Sequence, residues 1–376
     1  MAGAERAEDA DLVIVGAGPA GLATAIFAAQ RGLRPVVLEG SRPPLDKACG
    51  EGVLPQGVAL LDELGIRFEA RASAAFLGIR FLDDRAAAEA DFPGPPGLAV
   101  RRIHLSEALI HRAGQMGVDL RFGTGARRLA AEGVETAHGL VRGLWVVGAD
   151  GLHSRVRRWA GLAAPPGPYR RFGVRRHYAL RPWAQHVEVH WTAGCEAYVT
   201  PAGSDCVGVA MLWSGGKGSF DDHLARFPEL RERLSGAPAA SPDRGAGPLH
   251  QRAQSAVRGR VALVGDAAGY LDALTGEGIA LGLREARALA EAAAAGDLQP
   301  YRRAQRRLAR LPELLTRLLL AAERRPRLRR RLIGALAQDR SLFTRLLGVH
   351  SGALPPRGLG LPGALRLASL WLGGRA

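Results

Sequence analysis

A short stretch near the start of the chain carries two side chains able to move protons, a thiol and a carboxylate, among closely spaced glycines. The stretch is DKACGEGVLPQG, residues 46–57, and it contains Cys49 and Glu51. Glycine lets a backbone pass close to another molecule, and Pro55 removes an amide donor, so neither helix nor strand is favoured. One interpretation is a flexible surface loop. The other is a loop that runs past a ligand, with Cys49 and Glu51 as candidate catalytic residues.

A second glycine-rich sequence has the pattern of a dinucleotide site. Residues 11–40 read DLVIVGAGPAGLATAIFAAQRGLRPVVLEG, which predicts a strand, a tight turn, a helix and a second strand. Gly16, Gly18 and Gly21 fit the G-x-G-x-x-G pattern, in which glycines form the turn, admit a pyrophosphate and pack helix on strand. Glu39 follows at the end of the second strand, where a carboxylate accepts hydrogen bonds from ribose hydroxyls. These features predict a bound dinucleotide.

The elements that must position these residues fall into two kinds of sequence. Residues 171–213 alternate with a period of two, which predicts a β-rich domain. Residues 261–295 return to a strand, a glycine turn and a long helix, so the dinucleotide domain is expected to be discontinuous. The predicted boundaries are 1–75, 100–165 and 255–300 for the dinucleotide domain, 76–99 and 166–254 for the β-rich substrate domain, and 301–376 for a basic helical segment.

Length and composition allow two folded domains and argue against other classes of protein. The chain has 376 residues, 47% hydrophobic and 23% charged, which are ordinary values for a globular protein. The first ten residues lack the basic start and apolar stretch of a secretory signal. No apolar run reaches the roughly 18 residues needed to span a bilayer. Three cysteines, an odd number, argue against a disulfide framework, so we expect a cytoplasmic protein.

Positive charge is concentrated near the C-terminal end. The net charge is +15, and residues 301–376 contain 17 arginines against three acidic residues, so nearly all of the excess lies there. The segment can be a solvated helical face whose leucines pack on the body, or an interfacial anchor on anionic lipid. Nucleic acid is a third interpretation, but no base-reading motif accompanies the charge. A peripheral contact with a membrane through residues 301–376 is therefore one hypothesis beside the solvated helical face, and no nucleic-acid partner is expected.

Three motifs stand in order along the chain: GAGPAG at 16–21, GADGLHSRVR at 148–157 and VGDAAGYLDALTGEGI at 264–279. In this order and spacing they resemble the FAD-dependent superfamily that contains group A flavoprotein monooxygenases, flavin-dependent halogenases and geranylgeranyl reductases. The resemblance covers about the first 300 residues. It implies an α/β fold with a Rossmann-like FAD-binding domain, an inserted β-sheet substrate domain and a C-terminal helical segment. It also implies FAD as cofactor and NAD(P)H as reductant.

The resemblance implies a role for each motif. The first motif and Glu39 would hold the ADP half of FAD, and Asp150 with Gly151 would lie by the pyrophosphate and take part in transient NAD(P)H binding. The third motif would reach from the ribityl chain to the isoalloxazine ring, and Cys49 would lie in a loop beside the flavin. The predicted cofactor-binding residues are Gly16, Ala17, Gly18, Pro19, Ala20, Gly21, Glu39, Gly40, Arg102, Asp150, Gly151, Gly265, Asp266, Ala267, Gly276, Glu277, Gly278 and Ile279.

Individual positions depart from each branch of the superfamily. Gly269, Ala273 and Ala280 replace the His, Pro and Asn of typical hydroxylases, and Gly269 with the TGEGI run is more similar to the reductases. The reductases' Tyr-x-Trp-x-Phe-Pro strand corresponds here to EAYVTP, in which only Pro201 matches. The Trp-x-Trp-x-Ile-Pro signature of tryptophan halogenases is absent. The motifs therefore leave the branch open.

Three functions remain under consideration. The first is an FAD-dependent, NAD(P)H-driven monooxygenase that uses molecular oxygen to hydroxylate or epoxidise a hydrophobic molecule of secondary metabolism, whether phenolic, polyketide-like or lipid-tailed. The second is a reductase that saturates prenyl double bonds with Cys49 beside the substrate, and the third is a flavin-bearing binding protein. Candidate residues of the substrate pocket are His177, Trp191, Tyr198, Pro201 and Trp213. His186 and His190 share one face of a predicted strand without a third ligand, so no metal site is predicted.

Overall fold

Three β-sheets and a set of α-helices make up the described part of the chain. The computed structural model describes residues 9–216, 218–361, 363, 365, 366 and 369, so the outer ends of the predicted 1–75 and 301–376 segments lie outside the described residues. The strands are β1 (Ala10–Val15), β2 (Pro35–Glu39), β3 (Gly52–Val53), β4 (Ser73–Phe76), β5 (Gly78–Leu82), β6 (Ala87–Asp91), β7 (Gly97–Val100), β8 (Asp119–Phe122), β9 (Arg128–Ala130), β10 (Gly133–Thr136), β11 (Gly139–Gly148), β12 (Arg171–Tyr178), β13 (His186–Thr192), β14 (Cys195–Gly203), β15 (Cys206–Ser214), β16 (Arg244–Ala246), β17 (Val257–Arg258) and β18 (Val261–Leu263).

The helices lie mostly in the first sheet's domain and at the C-terminal end. The α-helices are α1 (Pro19–Ala29), α2 (Pro55–Glu63), α3 (Arg102–Gln115), α4 (Arg155–Trp159), α5 (Phe220–Leu224), α6 (Pro228–Arg233), α7 (Gly278–Ala294), α8 (Gln299–Glu323), α9 (Pro326–Gln338) and α10 (Arg340–His350). Short 3₁₀ helices cover Gly265–Ala268 and Pro356–Leu359.

The first sheet has a parallel centre of the Rossmann type. Its strand order is β17-β18-β11-β1-β2-β8, with β9 and β10 attached to β11, and all neighbours from β18 to β8 run parallel. Strand β1 is an almost unbroken apolar run because helices cover both faces of a parallel sheet. Helix α1 packs between α3 and α7. The predicted α/β fold with a Rossmann-like domain is confirmed.

The second sheet is mostly antiparallel and consists of seven strands in the order β16-β12-β15-β14-β13-β5-β6. Its strands come from residues 78–91 and 171–246. Neighbouring residues of a strand point to opposite faces, so the sheet separates two apolar clusters. One cluster packs Trp213 and Phe227 beneath the sheet, and the other packs Leu212 with residues of the C-terminal helices.

Strands β4 and β5 are almost adjacent in sequence but belong to two different sheets. Strand β4 ends at Phe76 and pairs with β7 in a small sheet of order β3-β7-β4, whereas β5 begins at Gly78 and pairs with β6 and β13. At the crossing, the amide of Leu77 donates to the carbonyl of Gln185. The apolar residues of β4 and β5 follow one another in the sequence almost without a break, so the change of partner strand between them is visible only in the structure. Strand β3 follows directly on Cys49 and Glu51, so the small sheet fixes one end of their loop.

The C-terminal segment forms three consecutive helices that pack on the rest of the chain. Helix α8 lies against α7, and α9 and α10 lie against β6. Leucines of these helices face the second sheet, whereas most of their arginines are exposed. Within the described residues, no helix combines the length and apolar composition needed to cross a bilayer.

Candidate active site

The first glycine motif forms the turn between β1 and α1. Gly16 has φ of +111°, and a Cβ there would lie 2.4 Å from the carbonyl oxygen of Ala149, so a larger residue would clash. Gly18 precedes the helix in an extended conformation, and a Cβ there would meet no atom closer than 3.9 Å. Gly18, Pro19 and Ala20 border a cavity, so the N-terminus of α1 is open. A helix N-terminus of this kind binds phosphate groups.

Glu39 lies beside this turn, as the spacing requires. Its Oε2 accepts a hydrogen bond from the amide of Ala17 at 3.0 Å, and its Oε1 accepts one from the amide of Ser41 at 2.9 Å. Each carboxylate oxygen has a second lone pair available. The carboxylate is therefore oriented at the C-terminal end of β2, where ribose hydroxyls bind in dinucleotide folds.

Arg102 is the first residue of α3 and reaches toward the same turn. The residue is only 6% exposed, and its Nη1 has no hydrogen-bond partner in the described structure. Burial lowers the pKa of the guanidinium, because no complete set of partners replaces water. A buried, unsatisfied cation next to free helix amides is a site for an anion, and a pyrophosphate has the matching charge and oxygens.

The second motif is held together by Asp150 and Arg157. Asp150 Oδ1 accepts the hydroxyl hydrogen of Ser154 at 2.5 Å, and Oδ2 accepts the amide hydrogen of Arg155 at 2.6 Å. Asp150 thus caps α4 and borders the open turn. Arg157, whose role the sequence did not reveal, donates to the carbonyl oxygens of Asp266 and Ala267 at 3.2 and 3.0 Å. It fastens the second motif to the third.

The third motif contributes a carboxylate and a helix N-terminus. Asp266 lies in the 3₁₀ helix after β18, and burial raises the pKa of its carboxyl. The amide of Gly265 donates to Glu285 Oε2 at 2.8 Å, and burial raises the pKa of Glu285 to about 8. Helix α7 begins at Gly278, and its free amides favour negative charge in front of them. This end of the site can therefore face a group that carries negative charge.

The C-terminal helices reach this third motif through one histidine. His350 Nδ1 lies 3.1 Å from Glu277 Oε1, and its Nε2 lies 3.0 Å from the carbonyl oxygen of Thr275. Burial alone would lower the pKa of His350, but the Glu277 carboxylate and the Thr275 carbonyl together raise it. Both ring nitrogens face acceptors, which fits a doubly protonated imidazolium. No sequence signal linked residue 350 to the glycine motif.

Cys49 and Glu51 have different surroundings. Glu51 is 2% exposed with φ of +61°, and its oxygens accept the Arg102 amide at 2.7 Å and contact His177 Nε2 at 2.5 Å. It joins the first domain to β12 of the second sheet. Cys49 Sγ accepts the Glu51 amide at 3.3 Å and borders open space. Burial and the Glu51 carboxylate raise the pKa of the Cys49 thiol to about 11, so it remains protonated.

A large apolar cavity begins at these motifs and extends to the C-terminal helices. Its volume is about 1210 Å³. One side, here called the motif wall, is formed by Gly18, Arg102, Gly265, Asp266, Gly276, Gly278 and Ile279. The opposite side, here called the leucine wall, is formed by Leu311, Leu314, Leu315, Leu318, Leu319, Leu332, Leu336 and Leu346 of α8, α9 and α10. Cys49 lies in the loop that borders the cavity beside the motif wall.

The structure brings most predicted site residues to this cavity. Those that line it are Gly18, Pro19, Ala20, Cys49, Glu51, Arg102, Asp150, Gly151, Tyr198, Gly265, Asp266, Gly276, Gly278 and Ile279. Those behind the wall or outside it are Gly16, Ala17, Gly21, Glu39, Gly40, His177, Trp191, Pro201, Trp213, Ala267 and Glu277. Gly16, Ala17 and Glu39 still border the first turn, where the ADP half of a dinucleotide binds.

Of the candidates for the substrate pocket, Tyr198 reaches the cavity, whereas Trp213, Pro201 and Trp191 do not. Tyr198 lines it, but Trp213 faces the other side of the second sheet, where its ring centroid lies 4.1 Å from that of His223. Pro201 follows Thr200, which does face the cavity, and so points away from it. Trp191 packs edge-on against Phe81 in the core, farther along the sheet.

His177, the remaining candidate for the pocket, lies behind the cavity wall. Its Nε2 is directed at Glu51, as described above, and its Nδ1 lies 2.8 Å from Ser241 Oγ. Both ring nitrogens are therefore engaged with protein groups. The histidine stabilises the loop of Cys49 from behind rather than facing a ligand.

A buried ionic cluster joins the two walls. Arg171 on β12 donates to Glu196 Oε2 at 2.5 Å and Asp272 Oδ2 at 2.9 Å, and its Nη1 lies 3.8 Å from Glu323 Oε2 at the end of α8. All four side chains are at most 2% exposed. Ionising all three carboxyl groups around one buried guanidinium is unfavourable. Burial raises the pKa of Glu196 to about 7.

Metal-binding side chains are not assembled in the described residues. No group of three or more His, Cys, Asp or Glu side chains there is placed to hold a metal ion. His186 contacts Asp91 at 2.7 Å and His190 contacts Glu188 at 3.2 Å, so each histidine has a carboxylate partner of its own. The three cysteines are free thiols.

The fold and site together define a flavoprotein with a dinucleotide cofactor. The unsatisfied Arg102 guanidinium, the open N-terminus of α1 and the N-terminus of α7 fit the pyrophosphate and ring of FAD. The family described as the FAD binding domain matches residues 9–214, and the chain belongs to this family. It is an FAD-dependent flavoenzyme of the oxidoreductase class.

Comparison with individual proteins supports the same family. The chain is 29% identical over 324 residues to a menaquinone reductase of Mycobacterium tuberculosis, covering 77% of this chain and 78% of the relative. It is 30% identical over 294 residues to digeranylgeranylglycerophospholipid reductase 1 of Methanopyrus kandleri, covering 72% and 76%. A solved flavoprotein/dehydrogenase from Cytophaga hutchinsonii superposes with a TM-score of 0.81 at 16% identity, covering 97% of this chain and 100% of that one. The last comparison concerns the fold alone.

Proposed function

We propose that the chain is an FAD-dependent reductase that saturates a carbon–carbon double bond in a long apolar molecule of the isoprenoid-lipid type. The observation that carries this proposal is the single cavity that runs from the motif wall, past Cys49, to the leucine wall. The reductase names of the relatives at 29% and 30% identity are in accord with it. NAD(P)H is the proposed source of reducing equivalents.

The size of the cavity suits two molecules at once. Pockets for a single small ligand usually hold about 300–1,000 Å³. The 1210 Å³ found here exceeds that range, and leucines form much of the half away from the glycine motifs. A flexible alkyl or prenyl chain is the ligand that such a wall binds, because it offers apolar surface and no hydrogen bonds.

The polar side chains between the walls are mostly engaged. The Tyr198 hydroxyl donates to the carbonyl oxygen of Leu274 at 2.8 Å, and the Thr200 hydroxyl donates to that of Gly50 at 3.0 Å. The Cys49 thiol has no acceptor for its hydrogen among the described residues. Cys49, in the loop beside the motif wall, is the group that we propose gives a proton to a substrate.

Saturation of a double bond needs one hydride and one proton. Reduced FAD supplies a hydride when it is bound at the motif wall. Cys49 Sγ holds the proton, because its raised pKa keeps the thiol neutral until a carbon atom accepts it. The thiolate left behind then takes a proton from water. Most of the cavity lining is apolar, which limits the access of water to the reacting atoms.

A monooxygenase is the second candidate, and a flavin-bearing binding protein is the third. The largely apolar lining of the cavity also favours oxygen chemistry, because it limits the access of water to the reduced cofactor. The monooxygenase ranks second here because the relatives at 29% and 30% identity carry reductase names. The binding protein ranks third because the large cavity and the Cys49 thiol are features that a substrate and a proton donor would use.

One experiment separates these functions. The FAD-loaded protein is incubated with NADPH and a detergent-dispersed geranylgeranyl lipid, without and then with oxygen, and products are identified by mass spectrometry. We expect gain of two hydrogen atoms per double bond without oxygen. Cys49→Ala should lower turnover at least about 100-fold, whereas Cys206→Ala, outside the cavity, should not. A product that gains one oxygen atom, and only in air, would favour the monooxygenase. The absence of any product would favour the binding protein.

A further inference from the structure

The outer face of α8 combines positive charge with exposed leucine. Arg303, Arg307 and Arg310 recur at helical spacing and are exposed, and Leu314 and Leu318 continue the same face. None of the three arginines has a carboxylate within ion-pair distance among the described residues. Leu314 is 52% exposed and Leu318 36% exposed, which is unusual for large apolar side chains in a folded protein.

The same leucines also line the cavity. Leu314 and Leu318 belong both to the protein surface and to the leucine wall. Pro356, in the 3₁₀ helix after α10, is likewise exposed and borders the cavity. The cavity therefore opens to the outside between α8 and this 3₁₀ helix. Leu361, immediately beyond, is 73% exposed.

Further arginines without an ion-pair partner among the described residues lie close to α8 and Pro356 along the sequence. Arg325, Arg327 and Arg331 at the start of α9 are exposed, and α9 packs against α8. Arg357 adjoins Pro356 and is exposed as well. On α8 the exception is Arg317, which lies 3.5 Å from Glu313 and is still largely exposed. An apolar opening bordered by guanidinium groups complements a surface with anionic headgroups over hydrocarbon.

We infer that this face, Arg303–Leu318 of α8 with Pro356–Leu361, docks on a bilayer that contains anionic phospholipid, and that apolar substrate enters the leucine wall directly from that bilayer. The arginines contact phosphates, and Leu314, Leu318 and Leu361 enter the acyl layer. The second part rests on the proposed function, since it assumes a substrate that resides in lipid. The docking itself does not depend on which reaction follows.

The leucines distinguish a bilayer from other anionic partners. A nucleic acid would use the arginines and leave Leu314 and Leu318 in water. A second copy of this chain would repel the first, because both would present the same positive face. Of these three partners, the bilayer is the one that satisfies both kinds of side chain.

Vesicle co-sedimentation of the FAD-loaded full chain tests the inference. Vesicles of phosphatidylcholine alone are compared with vesicles that contain phosphatidylglycerol, at low and high salt. Binding should require phosphatidylglycerol and weaken as salt rises. Replacement of Arg303, Arg307 and Arg310 by Gln should weaken it about 100-fold. Leu314→Ser with Leu318→Ser, which keeps every charge, should weaken it about tenfold or more.

A matched control removes the same charge elsewhere. Arg67 and Arg71, in the loop between α2 and β4, and Arg231 of α6 are exposed, and their replacement by Gln should leave binding within about twofold of the parent. Equal loss in this control and in the α8 variant, or full binding by the leucine variant, would overturn the inference. So would sedimentation with phosphatidylcholine alone to the same extent.

Turnover separates this inference from the proposed function. If the reaction occurs in detergent but no variant or lipid composition affects sedimentation, the docking face is wrong and the reductase stands. If vesicles bind as expected but the lipid substrate is not reduced, the docking face stands and the reductase is wrong.

Discussion

The two walls of the cavity differ in how they are built and in what they specify. The motif wall consists of backbone amides, glycines and Arg102 at the ends of parallel strands, and short contacts between consecutive motifs fix it. The leucine wall consists of apolar side chains from three helices at the other end of the sequence. The first wall is specific for one cofactor, whereas the second is shaped for a class of apolar chains. Cofactor recognition and substrate recognition are therefore separate properties of this chain.

Two polar contacts nevertheless connect the walls. The Arg171 cluster ties Asp272, in the loop of the third motif, to Glu323 at the end of α8. His350 ties Glu277 to α10. Substitutions that break these contacts, or that alter one wall alone, test whether cofactor binding and substrate binding are independent of each other.

The largest effect is expected from Arg171→Met. Removing the guanidinium leaves Glu196, Asp272 and Glu323 without their shared partner in the interior, which typically costs about 3–5 kcal/mol. Urea unfolding should report that loss, together with weaker FAD retention. Arg121→Met, which removes an exposed pair with Asp119, should change the free energy of unfolding by less than about 1 kcal/mol. Equal effects of both variants would mean that the cluster does not hold the walls together.

The second-largest effect is expected on FAD affinity, and it distinguishes the motif wall from the leucine wall. Arg102→Gln removes a charged hydrogen-bond donor of the motif wall, so the dissociation constant of FAD should rise about 10- to 100-fold. Leu319→Ala, in the leucine wall, should leave it within about twofold while raising KM for a long-chain substrate. Isothermal titration of the apoprotein with FAD measures the first quantity. A weaker FAD complex in Leu319→Ala than in Arg102→Gln would remove the distinction between the walls.

The smallest effect concerns pH. Glu196 has a pKa of about 7 in the folded chain, above its ordinary value of 4.5, so the folded state holds a proton that the unfolded state loses between these values. Its contribution to stability is complete below pH 4.5 and is lost as pH rises through 7. Glu196→Gln keeps a neutral side chain at every pH, so it should gain at least about 1 kcal/mol relative to the parent between pH 5 and 8.

Chemical denaturation at each pH measures that gain. The exposed Glu229→Gln serves as control and should show a constant difference from the parent. A constant difference for Glu196→Gln as well would show that the cluster does not keep Glu196 protonated.

Local signals predicted the motif wall well. The βαβ pattern, the glycines and the position of Glu39 depend on contacts within about 25 residues, and such contacts leave a readable spacing. The structure also brings Arg102, Cys49 and the third motif to one cavity, in accord with the family resemblance. Glu51 was foreseen as a candidate catalytic residue, but its carboxylate is engaged by the Arg102 amide and His177.

Predictions were weakest for contacts between distant segments. Trp213 and Pro201 were expected in the substrate pocket, yet a strand shows which residues share a face without showing which face is the inner one. The C-terminal leucines and His350 gave no sign of their place in the cavity, because amphipathic helices pack in many ways with the same pattern.

By itself the sequence determined the dinucleotide fold, the cofactor class and the location of excess charge, since glycine spacing, strand periodicity and side-chain charge are local properties. Tertiary structure alone decided that α8 to α10 close the cavity, that Arg171 gathers three carboxyl groups and that the exposed leucines of α8 border an opening. These depend on packing between separate segments, some more than 100 residues apart, such as Arg171 and Glu323, and no spacing in the chain records it.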